Sequence, residues 1–234
     1  MKVLLLLGAV TMQNDMPAPS EFVIRRCLDP VDYEETWDLQ KEINRKVAEE
    51  NQNETILMVQ HTPVFTLGFH GNRENLLVSE DELRKKGASL FQIERGGDIT
   101  FHGPGQLVVY PIIRLASRSY GVKEYVRRLE EAVIFTCGHY GVNCFRRKDA
   151  PGVWCCGDRG LSKICALGIK VKKGVTMHGI ALNVDIDPSW FALINPCGFV
   201  HGSVTSLKEQ MKGREVPDIE NVASVLAEQL QILL

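Results

Sequence analysis

The sequence predicts an α+β fold, with a mixed, largely antiparallel sheet flanked by helices. Three observations predict it. Strand-like runs follow one another between Val153 and Val184 with only short breaks. Two long segments instead repeat apolar residues at three-and-four spacing, as amphipathic helices do. The elements also mix without the steady strand–helix–strand rhythm of a doubly wound parallel sheet. At 234 residues the chain can bury one sizeable core. No repeat, low-complexity linker or composition shift divides it. The expected organisation is an N-terminal extension over 1–20 and a single domain over 21–234.

The elements follow in order. Val3 to Val10 is an apolar run, too short for the roughly 18 residues that cross a bilayer. A secretion signal would want more positive charge before it than Lys2 supplies and a clear small-residue cleavage site after it, so a strand, tail or start-site artefact is favoured. Glu21 to Arg26 reads as a strand. Val31 to Asn51 reads as a helix with Tyr33, Trp37, Ile43 and Val47 on its apolar face. Thr55 to His61 is a compact apolar strand that Pro63 ends. Leu90 to Glu94 and Leu107 to Ile112 read as short strands on either side of a glycine-rich loop. Lys123 to Tyr140 is a strong amphipathic helix, with Tyr125, Leu129, Val133 and Cys137 in its stripe. Val153 to Cys156, Lys163 to Val171 and Val175 to Val184 read as strands, and Lys172-Lys173-Gly174 turns between the last two. Asp218 is placed to cap a final helix carrying Val222, Leu226 and Leu230.

Composition narrows the function. Hydrophobic content of 44% and charged content of 24% are those of an ordinary globular protein. A net charge of −2 argues against a general nucleic-acid binder. No run is long enough to span a membrane. Seven cysteines, odd in number and irregularly spaced, do not form a disulfide framework and point to a reducing compartment. No C-x-x-C pair occurs. Cys155 and Cys156 are neighbours that a strand would turn to opposite faces, so no metal site is expected.

Four segments stand out chemically. Arg95-Gly96-Gly97-Asp98-Ile99-Thr100-Phe101-His102-Gly103-Pro104-Gly105-Gln106 lacks both the Gly-Lys-Ser/Thr of a phosphate loop and the last glycine of the dinucleotide fingerprint. Turn chemistry alone does not call for its charged residues, so its backbone is expected to approach a ligand. In Asn195-Pro196-Cys197-Gly198 a thiol sits on a sharp turn, where backbone N–H groups are available to an oxyanion. A nucleophile and a small buried hydrophobe are equally good readings of it. Lys163 opens an apolar strand two residues before Cys165. Period-two alternation puts both on one face, where the cation would favour a thiolate. Thr176 to Val184 carries one histidine, His178, among small and apolar residues. On their own, the first of these reads better as an edge-strand or snorkelling lysine and the second as a core strand with one satisfied histidine.

In this fixed order the segments resemble the lipoyl(octanoyl) transferase family. The matching text is His61-Thr62-Pro63 to Gly68, Arg95-Gly96-Gly97 with His102-Gly103-Pro104-Gly105-Gln106, Lys163-Ile164 with Gly168, His178-Gly179 with Ala181-Leu182-Asn183, and Pro196-Cys197-Gly198 with Thr205-Ser206-Leu207. The resemblance covers about residues 22 to 210. It implies a catalytic domain like that of the biotin and lipoate protein ligases, spanning the whole of 21–234. It implies transfer of an octanoyl group from octanoyl-acyl carrier protein to a lysine of a lipoyl domain, through a cysteine thioester and with no cofactor. The acceptors would be lipoyl domains of 2-oxoacid dehydrogenase complexes and the glycine cleavage H protein. The expected location is the cytoplasm, or an organelle in a eukaryote.

By the same resemblance Cys197 is the nucleophile, and Lys163 lowers its pKa. Substrate would be held by Arg95, Gly96, Gly97, Asp98, Ile99, Thr100, Phe101 and His102, by Ala166, Leu167 and Gly168, and by Gly179, Ile180 and Ala181. Position 165 is usually small in the family, so Cys165 is a second thiol that could compete for the acyl group. Arg146-Arg147-Lys148 and Lys170, Lys172 and Lys173 are candidate docking charges for an acidic carrier. The competing readings are an ATP-dependent lipoate or biotin ligase, a hydrolase using His102 or His178 as base, and a non-catalytic acyl-binding protein.

Overall fold

The computed structural model describes residues 22–157, 160–195 and 203–234. Its strands are β1 (Val23–Val31), β2 (Thr55–His61), β3 (Val64–Leu67), β4 (Ser89–Gln92), β5 (Ile99–His102), β6 (Gln106–Ile112), β7 (Cys144–Arg146), β8 (Val153–Gly157), β9 (Gly160–Lys172), β10 (Val175–Asn183) and β11 (Ser203–Val204). Its α-helices are α1 (Tyr33–Glu49), α2 (Glu80–Lys85), α3 (Val122–His139), α4 (Leu207–Gln210) and α5 (Ile219–Leu233). The expected mixed, largely antiparallel sheet is present. Its strand order is β1-β2-β6-β10-β9-β8-β7, with β11 added beside β9. Only the β1–β2 and β9–β11 pairs in it are parallel.

Helices cover both faces of this sheet. Ile43 and Val47 of α1 pack on Leu57, Val59, Val108 and Ile112. On the opposite face Leu129 and Val133 of α3 and Leu226 and Leu230 of α5 pack on Ile56, Met58, Leu107 and Ile180. Leu226 and Leu230 are fully buried, and each such side chain stabilises the fold by about 2 kcal/mol. The helix starts are written in the sequence. Asp32 accepts the Glu35 N–H at 3.1 Å, and Asp218 accepts that of Asn221 at 2.7 Å.

A second, three-stranded sheet, β4-β3-β5, has its own core around Phe65, Leu67, Ile99 and Phe101. The glycine-rich segment is therefore not one continuous loop. Its middle, Ile99–His102, is a strand paired with β3. Four residues between glycines are too few to show a period, and only pairing with Val64–Leu67 stabilises them as a strand. The extension over 1–20, and Glu21 of the first expected strand, lie outside the described residues.

Candidate active site

A cavity lies between the two sheets. Its floor is Val108, Tyr110, Ile180, Ala181 and Gly179 of the large sheet, and its far wall is Ile99, Thr100 and His102 of the small one. Arg95, Gly97 and Asp98 close one side, and Ala166, Leu167 and Gly168 of β9 another. Glycine lets the two walls meet closely. A Cβ added at Gly168 would come within 2.9 Å of the Gly96 carbonyl oxygen and 3.0 Å of Arg95 Cδ. The Gly96 N–H donates to the Ile169 carbonyl at 3.0 Å, which fastens the glycine segment to β9. Lys163 stands at one end of the cavity and His178 at the other. The five-residue step from Lys163 to Gly168 spans about 16 Å at roughly 3.3 Å per residue, enough for an extended eight-carbon chain.

Most of the expected binding residues meet here. Two do not line the cavity. Gly96 is occupied in tethering its segment to β9. Phe101 points into the core of the small sheet, where it stacks on Trp190 at 5.0 Å. Cys197 lies outside the described residues.

The polar residues of the wall form one connected chain. Arg95 is buried and donates through Nη2 to the Thr66 carbonyl at 2.6 Å and to Thr66 Oγ1 at 2.9 Å. Thr66 Oγ1 faces His102 Nε2 at 3.5 Å, and His102 Nδ1 lies 2.7 Å from Gln106 Oε1. Gln106 Nε2 donates to Asn183 Oδ1 at 2.9 Å, and Asn183 Nδ2 to the Thr205 carbonyl at 2.9 Å. The Thr205 N–H then donates to the carbonyl of Lys163 at 3.0 Å. Because Gln106 uses its amide N–H groups elsewhere, we assign the His102 proton to Nδ1. Burial holds His102 neutral, with its pKa lowered to about 3, and the neighbouring His61 adds to the effect. His102 is thus fixed in one tautomer by groups that also fix the lysine's strand.

The two ends of the cavity differ. His178 is buried with φ of 56°, in the left-handed region that a histidine rarely adopts. Its N–H donates to Gln40 Oε1 of α1 at 2.9 Å, and its Nε2 lies 3.6 Å from the Glu94 carboxylate. Burial lowers the His178 pKa, against the pull of Glu94. The His178 ring facing it, with the Trp37 indole N–H donating to Oε1 at 3.3 Å, holds the Glu94 carboxyl down at about 2. At the other end the Lys163 ammonium sits 4.8 Å from the centre of the Trp154 ring. Ser203 and Val204, on the strand beside Lys163, line the same end.

Cys165 is not there. The β8–β9 ladder pairs Val153 with Cys165 but Trp154 with Lys163, so Ile164 is the extra residue of a bulge. The bulge breaks the period-two alternation that put Lys163 and Cys165 on one face. Cys165 is buried in the α3–α5 core, and burial pushes its thiol pKa up. The docking charges are also partly committed. Arg146 faces Glu130 and Glu131, Arg147 pairs with Asp149, and Lys173 pairs with Glu49.

A catalytic-domain model, that of the lipoyl protein ligase A/B family, matches residues 32–231. This chain belongs to that family. An octanoyltransferase of Bacteroides fragilis is 45% identical over 206 residues, covering 86% of this chain and 92% of the relative. One of Christiangramia forsetii is 42% identical, covering 86% and 91%. Among solved structures, a putative lipoate protein ligase from T. acidophilum with bound lipoic acid superposes with a TM-score of 0.70 at 15% identity, over 91% of this chain and 86% of that one. A biotin protein ligase from Aquifex aeolicus in complex with biotin and ATP gives 0.53 at 13%, over 90% and 69%. These distant likenesses show the fold, and it is the ligase-like α+β fold expected from the sequence.

Within this lipoyl ligase family fold, several cavity residues are not marked out in the sequence. Tyr33, Tyr110, Trp154 and Asn183 all line it. Tyr33, Tyr110 and Trp154 read as ordinary apolar positions of a helix and two strands, so no sequence period separates them from core. Asn183 carried a signal, as an amide closing an apolar strand. Among the described residues, no helix is long and apolar enough to cross a membrane.

Proposed function

We propose that this lipoyl ligase family member transfers an octanoyl group from octanoyl-acyl carrier protein to a lysine of a lipoyl domain, through a thioester on Cys197. The observation that carries the reading is the cavity. It is largely apolar, has Gly97, Ala166, Gly168, Gly179 and Ala181 among its lining residues, and is also lined by Lys163. Burying each methylene of an acyl chain there contributes about 0.8 kcal/mol. The octanoyltransferase names of relatives at 41–46% identity support the acyl group and the reaction class.

The proposed steps balance without ATP. A free thiol of pKa about 8.5 is mostly protonated at neutral pH, and a neighbouring cation favours its thiolate. The Cys197 thiolate attacks the thioester carbonyl of the donor, and the carrier's thiolate leaves and takes a proton from the Lys163 ammonium, which becomes a neutral amine. The neutral amine of the acceptor lysine then attacks the new thioester. An amide forms, Cys197 leaves as thiolate, and Lys163 accepts the amine's proton. Support for pairing these two residues comes from the flanking strand. Ser203 and Val204 follow Cys197 closely in sequence and run beside Ser162 and Lys163. The acceptors would be lipoyl domains of 2-oxoacid dehydrogenases and the glycine cleavage H protein. Lys148, Lys170 and Lys172 remain the candidate docking charges for the acidic carrier.

Intact-mass analysis after mixing with octanoyl-acyl carrier protein tests this. Wild type should gain one octanoyl group, and Cys197→Ser none. An equal adduct on Cys197→Ser, or one mapping to Cys165, would remove the proposed nucleophile.

A further inference from the structure

Glu130 is an anomaly on the apolar face of α3. It is 6% exposed, among residues that otherwise form the core. A buried carboxylate needs partners, and its partners lead to the site. Its Oε1 accepts the N–H of Gly152 at 2.9 Å, and its Oε2 lies 3.6 Å from Arg146 Nε. Gly152, immediately before β8, has φ of 114°. A Cβ there would stand 2.6 Å from the Cys165 carbonyl oxygen, and 3.5 Å from both Cδ and Cε of Lys163. The lysine stem therefore lies across the bare backbone of Gly152. Two residues on, Trp154 receives the ammonium over its ring. Trp154 is itself held by its indole N–H, which donates to the Ala150 carbonyl at 3.0 Å, and by Arg147 at 4.8 Å from the ring centre. The bulge at Ile164 is what turns Lys163 toward this seat.

We propose that Glu130 is a positioning residue for Lys163: by clamping the Gly152 amide it fixes the groove in which the lysine stem lies and the Trp154 ring beneath the ammonium. A lysine stem has four rotatable bonds, and an unseated ammonium samples many positions. A base or cation that must meet one reacting atom loses rate when it is displaced by as little as 1 Å. The inference rests on the reading of Lys163 as the partner of Cys197. The clamp itself needs an acceptor at the right reach, not a charge.

Three variants separate these properties. Glu130→Gln keeps the reach and an acceptor. Glu130→Asp keeps the charge but withdraws the acceptor by one methylene. Glu130→Ala removes both. The expected result is a kcat for octanoyl transfer lowered at least tenfold in Glu130→Ala and Glu130→Asp, with KM for the octanoyl carrier within about twofold. Glu130→Gln should recover to within about threefold of wild type. In proton–carbon spectra of lysine-labelled protein, the Lys163 ε-methylene, assigned by its loss in Lys163→Met, should be shifted upfield by the Trp154 ring. It should lose about half of that shift in Glu130→Asp and keep it in Glu130→Gln. If Glu130→Ala does not fold, the Asp and Gln variants decide. Wild-type rates in Glu130→Asp, a Glu130→Gln as slow as Glu130→Asp, or an unmoved ε-methylene would overturn the proposal. Absence of octanoyl transfer by wild type would instead defeat the underlying reading, and the spectra would still decide whether Glu130 seats the lysine.

Discussion

The hydroxyl of Thr66 stands between two residues that the sequence marks as candidates to hold substrate. It accepts from Arg95 and donates toward His102, so both belong to a fixed wall of the cavity. Thr66→Val should therefore cost about 1–3 kcal/mol, because it leaves His102 Nε2 buried without a partner. A urea midpoint unchanged from wild type would contradict this. The histidines also set an acid limit. Burial lowers His102 to about 3 and His61 to about 4. Both bind protons more weakly folded than unfolded, where the pKa is about 6.5. Their contribution to stability is complete above pH 6.5 and is lost as pH falls toward 4. Calorimetry in buffers of different ionisation enthalpy near pH 5 should show uptake of about two protons on unfolding from these rings. Proton release there would refute the neutral, buried assignment. At this scale the sequence was most legible where residue type limits chemistry: Arg95, His102 and Lys163 all reach the cavity. Glu130 was not legible, since a glutamate in a helix reads as solvent-facing until its neighbours are known.

Elements with strong periods are legible in the sequence to within a few residues, as α1, α3, β2 and β10 show. Their signals are local, in side-chain period and capping. The N-cap of α5 illustrates the link. Asp218→Ala should destabilise the protein by about 1 kcal/mol through the lost bond to the Asn221 N–H. A denaturant midpoint within error of wild type would contradict it. α2 also had a local signal, the capping box of Ser79 and Glu82, both halves of which form. The β9 bulge had none. A run such as Lys163-Ile164-Cys165 alternates smoothly on paper, and only pairing with β8 reveals the extra residue. That one residue sends Cys165 to the core and Lys163 to the cavity.

At the scale of the whole molecule, the site exists because a small sheet is laid across a large one. Neither sheet encloses the cavity alone. The sequence indicated which segments contribute but not that they belong to two sheets, because sheet partnership is set by long-range pairing. The contact between the sheets is tight at Gly168, where the Gly96 carbonyl and the Arg95 stem leave no room for a methyl group. Gly168→Ala should push the glycine segment off β9 and lower octanoyl transfer at least tenfold, while unfolding stays cooperative. Full activity in that variant would mean the cavity tolerates a wider wall. The fold is shared with lipoate and biotin protein ligases, and on the proposed function the reactions differ. What separates them is the energy source. The most direct measurement mixes the protein, octanoyl-acyl carrier protein and a lipoyl domain without ATP, and weighs the lipoyl domain. The account predicts octanoylation of one lysine by wild type and none by Cys197→Ser. Modification only with free octanoate and ATP, undiminished in Cys197→Ser, would contradict it.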